Sequence, residues 1–292
     1  ENWWAIDGRD HPIALDYLTL AHRWHAALHR QNLAVDIVNT TSDLSAYSLV
    51  VAPQQYLLGD EGAANLSAYV EQGGNLFISA FSDVVDQDDA FREGGFIVSL
   101  REVLGVALED FGALVPPESV RSADSAGAVA SHAVPDGPGQ SEAPLDGPAG
   151  RIVGQYFAEE LIVQDAEVLG RFTEGRTAGR AAFTRKRAGA GNGFYLATIP
   201  DDAGMTAVLG WLASEAGVAA EIPGLPEHVE IARRGSILTV INHSAAPIDV
   251  DVIGTDMLTG STDARRELGA FGWAFIDTSD SPPPHHSQKE NS

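Results

Sequence analysis

The chain of 292 residues has no cysteine. That excludes a disulfide framework, a thiolate metal site and a cysteine nucleophile at once. Lysine is nearly as scarce, with Lys186 and Lys289 alone, and 41 acidic against 18 basic residues set a formal net charge of -23. Such a surface repels phosphate backbones and anionic headgroups, so neither nucleic acid nor a membrane is an expected partner. No apolar run approaches the roughly 20 residues that span a bilayer, and the start lacks a basic stretch followed by an apolar one. A soluble, cytoplasmic protein is the expectation. With 44% hydrophobic residues the chain can still bury a large core, enough for two domains.

Periodicity supplies the elements. From Leu15 to Leu33 the apolar residues Tyr17, Leu20, Ala21, Trp24 and Leu28 share one face at helical spacing. AVDIVN (34–39) reads as a short strand, and SLVVAP (48–53) as a strand buried on both faces and ended by proline. Asp60 opens a further helix, which Gly73 and Gly74 close, and NLFISAF (75–81) is another buried strand. Helices alternating with continuous apolar runs predict an α/β fold, a parallel sheet with helices on both faces.

Between about residues 115 and 150 the chain is rich in Pro, Gly, Ala and Ser without period, and reads as a long irregular insertion. Further strands, a Gly-rich hairpin and the helix DAGMTAVLGWLASEAG then finish the sheet. From residue 225 to 278, alternating residues between turn signals predict a small antiparallel all-β domain. The expected division is therefore 1–218, 225–278 and a disordered tail, 279–292.

Candidate chemistry is sparse. His22, His25 and His29 line one side of the first long helix, and two of them are four apart, but no third kind of metal ligand stands nearby. Asp83, Asp86, Asp88 and Asp89 cluster after a buried strand, where open α/β sheets place ligand crevices, yet the glycine and distal glutamate of a calcium loop are missing. Ser82 follows a strand without the flanking glycines or the histidine partner of a nucleophile elbow. GAGNG (189–193) lies between strands and lacks the Lys-Ser or Lys-Thr of a phosphate loop. No catalytic, cofactor or metal residue is assigned. Trp3 and Trp4, which as large aromatics could be core residues, invite a different use, because the chain is read as beginning with the loop that follows the first strand, which in an open α/β domain lies at the carboxyl edge of the sheet.

ENWWAIDGRDHP, LSAYSLVVAPQQYLL, NLSAYVEQGGNLFISAFSDVVDQDDAF, LREVLGV and HVEIARRGSILTVINHS, in that order, resemble the non-catalytic part of glycoside hydrolase family 42 β-galactosidases. The resemblance implies that residues 1–218 form a flavodoxin-like, glutamine amidotransferase-like trimerisation domain and that 225–278 form the C-terminal β domain. It implies a homotrimer, a catalytic barrel of the same enzyme as partner, and a galactoside bound by that barrel, whose two glutamates have no counterpart here. It also implies that an apolar strand and the barrel precede Glu1, so this chain alone is expected to be inactive. Trp3, Trp4, Asp7, Phe81, Ser82 and Asp86 are then expected to face the barrel or a neighbouring subunit. The alternative is a free-standing carbohydrate- or protein-binding module without galactosidase activity.

Overall fold

Leu49–Ala52 (β1), with β-branched Val50 and Val51, and Asn75–Ser79 (β2), with Phe77 and Ile78, form neighbouring strands, as expected of side chains that fit a half-buried pleated surface. The helix Asp60–Glu71 (α3) joins them, with acids in its first turn where the helix dipole favours them and Gly73 at φ +109° beyond its end. β1 and β2 therefore run parallel, with Leu49 opposite Asn75. This computed structural model describes residues 2–8, 15–114, 141–222, 224–226 and 228–279.

The chain divides into two compact units: Glu1–Trp24 with Val38–Trp211, and His25–Ile37 with Leu212–Ser292. In the first, Asn2–Asp7 (α1) and Tyr17–His29 (α2) precede β1; α2 runs on into the second unit. After β2 come Arg101–Leu104 (α4), Val106–Ala113 (β3), Ala143–Gly147 (β4), Gly150–Val163 (β5) and Glu167–Phe172 (β6). Ala181–Ala188 (β7), Gly191–Leu196 (β8), Thr198–Pro200 (β9) and Asp202–Glu215 (α5) complete the series, α5 also running on into the second unit. The sheet order is β1-β2-β8-β7-β6-β4-β5-β3, with β9 beside β5.

Among the described residues β1, β2 and β8 pair in parallel and the other ladders of this sheet are antiparallel. The architecture is α/β, and the wholly parallel sheet expected from the apolar runs is corrected to a mixed one. Such runs report burial on both faces, which a covered mixed sheet supplies equally; they carry no strand direction.

Three further expectations change. Residues 34–39 join no strand ladder, and Ile37 is 86% exposed, since no described strand lies beside them. Trp3 and Trp4 stand on a helix rather than in a loop. The end of the expected insertion is strand β4, between β5 and β6; Pro144 and Gly147 hide the strand signal, but Pro144 still uses its carbonyl, accepting the Thr173 N–H at 2.9 Å. Residues 115–140, the core of that insertion, and the tail from 280 lie outside the described residues. No described helix is long and apolar enough to cross a membrane.

In the second unit, Val229–Arg234 (β10), Ile237–Asn242 (β11), Trp273–Asp277 (β15) and Thr255–Asp256 (β13) form an antiparallel sheet. Ile248–Asp251 (β12) pairs antiparallel with Arg265–Leu268 (β14). Val229, Ile231, Leu238, Val240, Ala274 and Ile276 from the first sheet meet Val250 and Leu268 from the second in one apolar core. Fully buried Asn242 ties this unit's turns together, its Nδ2 donating to the Ala246 carbonyl at 2.7 Å and to that of Gly269 at 2.9 Å.

The hairpin between β7 and β8 packs against the end of α3. Ala190 N–H donates to the Glu71 carbonyl at 3.0 Å, and a Cβ on Gly191 would lie 2.2 Å from the Gly74 oxygen and 2.3 Å from that of Val70. Gly191→Ala must therefore push hairpin and helix apart. The expected loss is about 1–3 kcal/mol, the usual cost of overpacking, measured by urea unfolding; an unchanged midpoint would contradict this close contact.

Candidate functional site

At the carboxyl ends of β1 and β2 the chain makes two turns in backbone conformations that side chains disfavour. After β1, Gln54 has φ +46°; after β2, Phe81 and Asp83 have φ +67° and +52°, and Ile97 further along has φ +53°. Left-handed φ at bulky or β-branched residues costs energy and persists only where surrounding contacts overdetermine it.

Those contacts are polar and largely buried. Trp24 Nε1 donates to Gln54 Oε1 at 2.8 Å, and the other end of the Gln54 amide donates to the Ser79 hydroxyl. Ser82 Oγ donates to the Ser79 carbonyl at 2.7 Å and accepts the Gln55 N–H at 3.0 Å. Phe81 N–H donates to Glu159 Oε1 at 2.9 Å, while the Tyr195 hydroxyl donates to Glu159 Oε2 at 2.6 Å. Asp83 accepts from Ser99 N–H at 2.7 Å and from Arg92 Nε at 3.0 Å. Arg92 also reaches Asp60 at 2.8 Å and the Leu58 carbonyl at 2.6 Å, so one guanidinium joins both turns to the start of α3. Above Glu159, the Phe81 ring stacks on Phe157 with centroids 4.8 Å apart and meets Tyr56 at 4.9 Å.

Burial governs the electrostatics. It pushes the Glu159 carboxyl up to about 7, against the hydrogen bonds from Tyr195 and Phe81 that favour its charged form. Burial likewise raises Asp83, opposed by Ser99 and by the Arg92 charge. Tyr195 is driven well above its ordinary value by burial first and by the Glu159 charge second.

The sequence-predicted residues separate into two groups. Trp3 and Trp4 are 54% and 47% exposed on α1. Asn2 anchors that helix, its Oδ1 accepting the Leu57 N–H at 2.6 Å, and Asp7 accepts the Tyr17 N–H at 3.0 Å where α2 begins. Phe81 and Ser82, in contrast, are buried beneath the turn, and Asp86 organises its own loop by accepting the N–H groups of Asp88 and Ala90 at 2.9 and 3.1 Å. The Ser82 hydroxyl is enclosed and directed at a carbonyl, so it has no geometry for attack on a substrate. His25 and His29 stack with ring centroids 6.0 Å apart.

Sequence reasoning passed over Glu159, Tyr195, Gln54 and Arg92. The available signal was Glu159-Glu160 within the otherwise apolar YFAEELIV, since acids are rarely buried without partners. The network ties together the turns after β1 and β2, and Asn2 ties α1, with its exposed Trp3 and Trp4, to Leu57.

Comparison with known proteins agrees with a structural role. Residues 1–219 match the family described as the β-galactosidase trimerisation domain. A β-galactosidase of an Arthrobacter species is 32% identical over 266 residues, 89% of this chain and 34% of its own length. One from Alicyclobacillus acidocaldarius is 32% identical over 290 residues, 95% of this chain and 40% of its own. The crystal structure of a β-galactosidase from Bacillus circulans sp. alkalophilus superposes with a TM-score of 0.79 at 27% identity, covering 94% of this chain and 39% of that one. This chain thus spans little more than a third of the relatives it matches.

The buried carboxyl yields a pH test. Glu159 ionises near 7 in the folded protein against an ordinary 4.5, so the fold binds this proton more tightly than the unfolded chain does. Its contribution to stability is complete below about pH 4.5 and is lost as pH rises through about 7. Glu159→Gln keeps the shape and one acceptor oxygen for the Phe81 N–H, and its NH2 can donate to the Tyr195 oxygen, without charge. Relative to the parent chain, the variant is expected to gain on the order of 2–3 kcal/mol between about pH 5 and about pH 8, read from urea unfolding at both. A pH-independent difference would sink the assignment.

Proposed function

Because this chain belongs to the β-galactosidase trimerisation domain family, we propose that it is the non-catalytic, subunit-joining portion of a glycoside hydrolase family 42 β-galactosidase. The observation that carries the reading is the family match over residues 1–219 in a chain that spans only 34–40% of the two relatives compared by sequence. In the parent enzyme, terminal β-D-galactosides are hydrolysed with retention on a catalytic barrel, where one carboxyl group acts as nucleophile and a second as acid and base. Three copies of the present residues hold three such barrels together as a homotrimer. The cytoplasmic placement expected from the sequence goes with this reading.

Within it, the sheet is a flavodoxin-like, glutamine amidotransferase-like scaffold. The β1–α3–β2 crossover and the sharp turn at Phe81 directly after β2 support that assignment. So does the contrast between the two sheet edges. β3 carries a register shift between Leu108 and Asp110, and Glu109 and Asp110 are ion-paired with Arg180 and Arg176, which protects an edge from further pairing. β1 is bare LVVA, suited to another strand alongside.

Trp3 and Trp4 are the docking anchors, because rigid exposed aromatics supply large contact area at small entropic cost. Asp7 sets the start of α2, and Phe81, Ser82 and Asp86 act indirectly, as the support on which the anchors rest.

Light scattering on the isolated chain is the direct test: a mass three times that of the chain is expected. Trp3→Ala with Trp4→Ala is expected to weaken assembly at least tenfold, since a central interface tryptophan is typically worth about 2 kcal/mol or more, while circular dichroism stays unchanged. No turnover of a chromogenic galactoside is expected from the chain alone. A monomer that also ignores the barrel of a relative would instead favour a free-standing module.

A further inference from the structure

Strand alternation gives the β10-β11-β15-β13 sheet two very different faces. The inner one is the apolar core of the second unit. On the outer one Trp273 lies opposite Ile241, and Phe275 opposite Thr239. Trp273 is 51% and Phe275 37% exposed, with ring centroids 5.2 Å apart and planes at 60°. Met257, 55% exposed, donates its N–H to the Phe275 carbonyl at the margin of this patch. At the opposite margin Glu230, the cross-strand neighbour of Ile241, pairs with His243 at 2.7 Å. An aromatic and aliphatic centre with charge at the rim is the anatomy of a protein interface.

We propose that this outer face is the seat of the catalytic portion of the parent enzyme, which lays an apolar surface of its own across Trp273 and Phe275. The proposal rests on the scaffold reading and adds a second contact to it, in the β unit rather than on α1. The occupant follows from chain length. These two relatives carry three-fifths to two-thirds of their polypeptide outside the region matched here, and a segment in the same chain reaches the face at an effective concentration that a free partner does not. A sugar fits less well: the tilted Trp273–Phe275 pair offers a notch rather than one flat platform, and Thr239 is the polar side chain at its centre.

The test compares this chain alone with the same chain fused behind the catalytic portion of the Arthrobacter relative, each with and without Trp273→Ala and Phe275→Ala. Both substitutions lie on the outer face and leave Ala274 and Ile276 in the core. In the fused protein the double variant is expected to melt lower by about 4 °C or more, and hydrogen exchange of β11 and β15 to rise. In the isolated chain both should stay nearly constant. Equal shifts in the two backgrounds, or none in the fused one, would overturn the proposal. So would self-association of the isolated chain abolished by the double variant, which would make a second copy the occupant, or saturable galacto-oligosaccharide binding lost in that variant. If the fused protein neither trimerises nor hydrolyses a galactoside, the scaffold reading falls as well; if it does both and the melting contrast is absent, only the assignment of this face falls.

Discussion

A single carboxylate holds the end of strand β2 in a conformation that phenylalanine ordinarily avoids. Glu159 reaches from β5 to accept the Phe81 N–H and, through its other oxygen, the Tyr195 hydroxyl from β8. These two bonds connect three strands that are not adjacent in sequence and compensate a left-handed φ. Everything that the carboxyl edge presents hangs on this connection, because the loop that follows Phe81 carries Asp83, Arg92 and the cross-ties to the turn after β1.

The cost of that arrangement is burial of charge. Asp83 is compensated by Arg92, itself only 15% exposed, whereas Glu159 has neutral donors. Buried polar networks of this sort add little net stability over apolar packing, but a member left without its partner is strongly destabilising, so they enforce one backbone path. A scaffold has use for such enforcement. The interface proposed on α1 would keep its geometry only if Asn2 and Leu57 keep theirs. The second unit solves the same problem on a smaller scale with Asn242, whose amide replaces missing backbone partners at two turns.

Much of this was legible in the residues. Asp60 and Gly73 bracket α3 where dipole and left-handed φ require them. The alternation from Val229 to Asp277 marked the small antiparallel unit, since period two has one structural meaning over that length. Other features were out of reach. AVDIVN has strand composition but no partner among the described residues, and a strand is a property of two segments, not one. β4 was concealed by proline and glycine, although its register with β5 and β6 tolerates both.

By itself, the sequence determined the α/β class, the helical and strand periods, the small β unit and, through the order of its motifs, the family to which the chain belongs. Each of these depends on local spacing or on the linear succession of residues. Tertiary structure alone decided the strand directions, the burial of Phe81 and Ser82, and the meeting of Glu159 with Tyr195 and Phe81 across 36 and 78 positions of chain. The physical reason is that a carboxyl group's role is set by what replaces its water, and those replacements arrive from distant strands only once the sheet has closed around them.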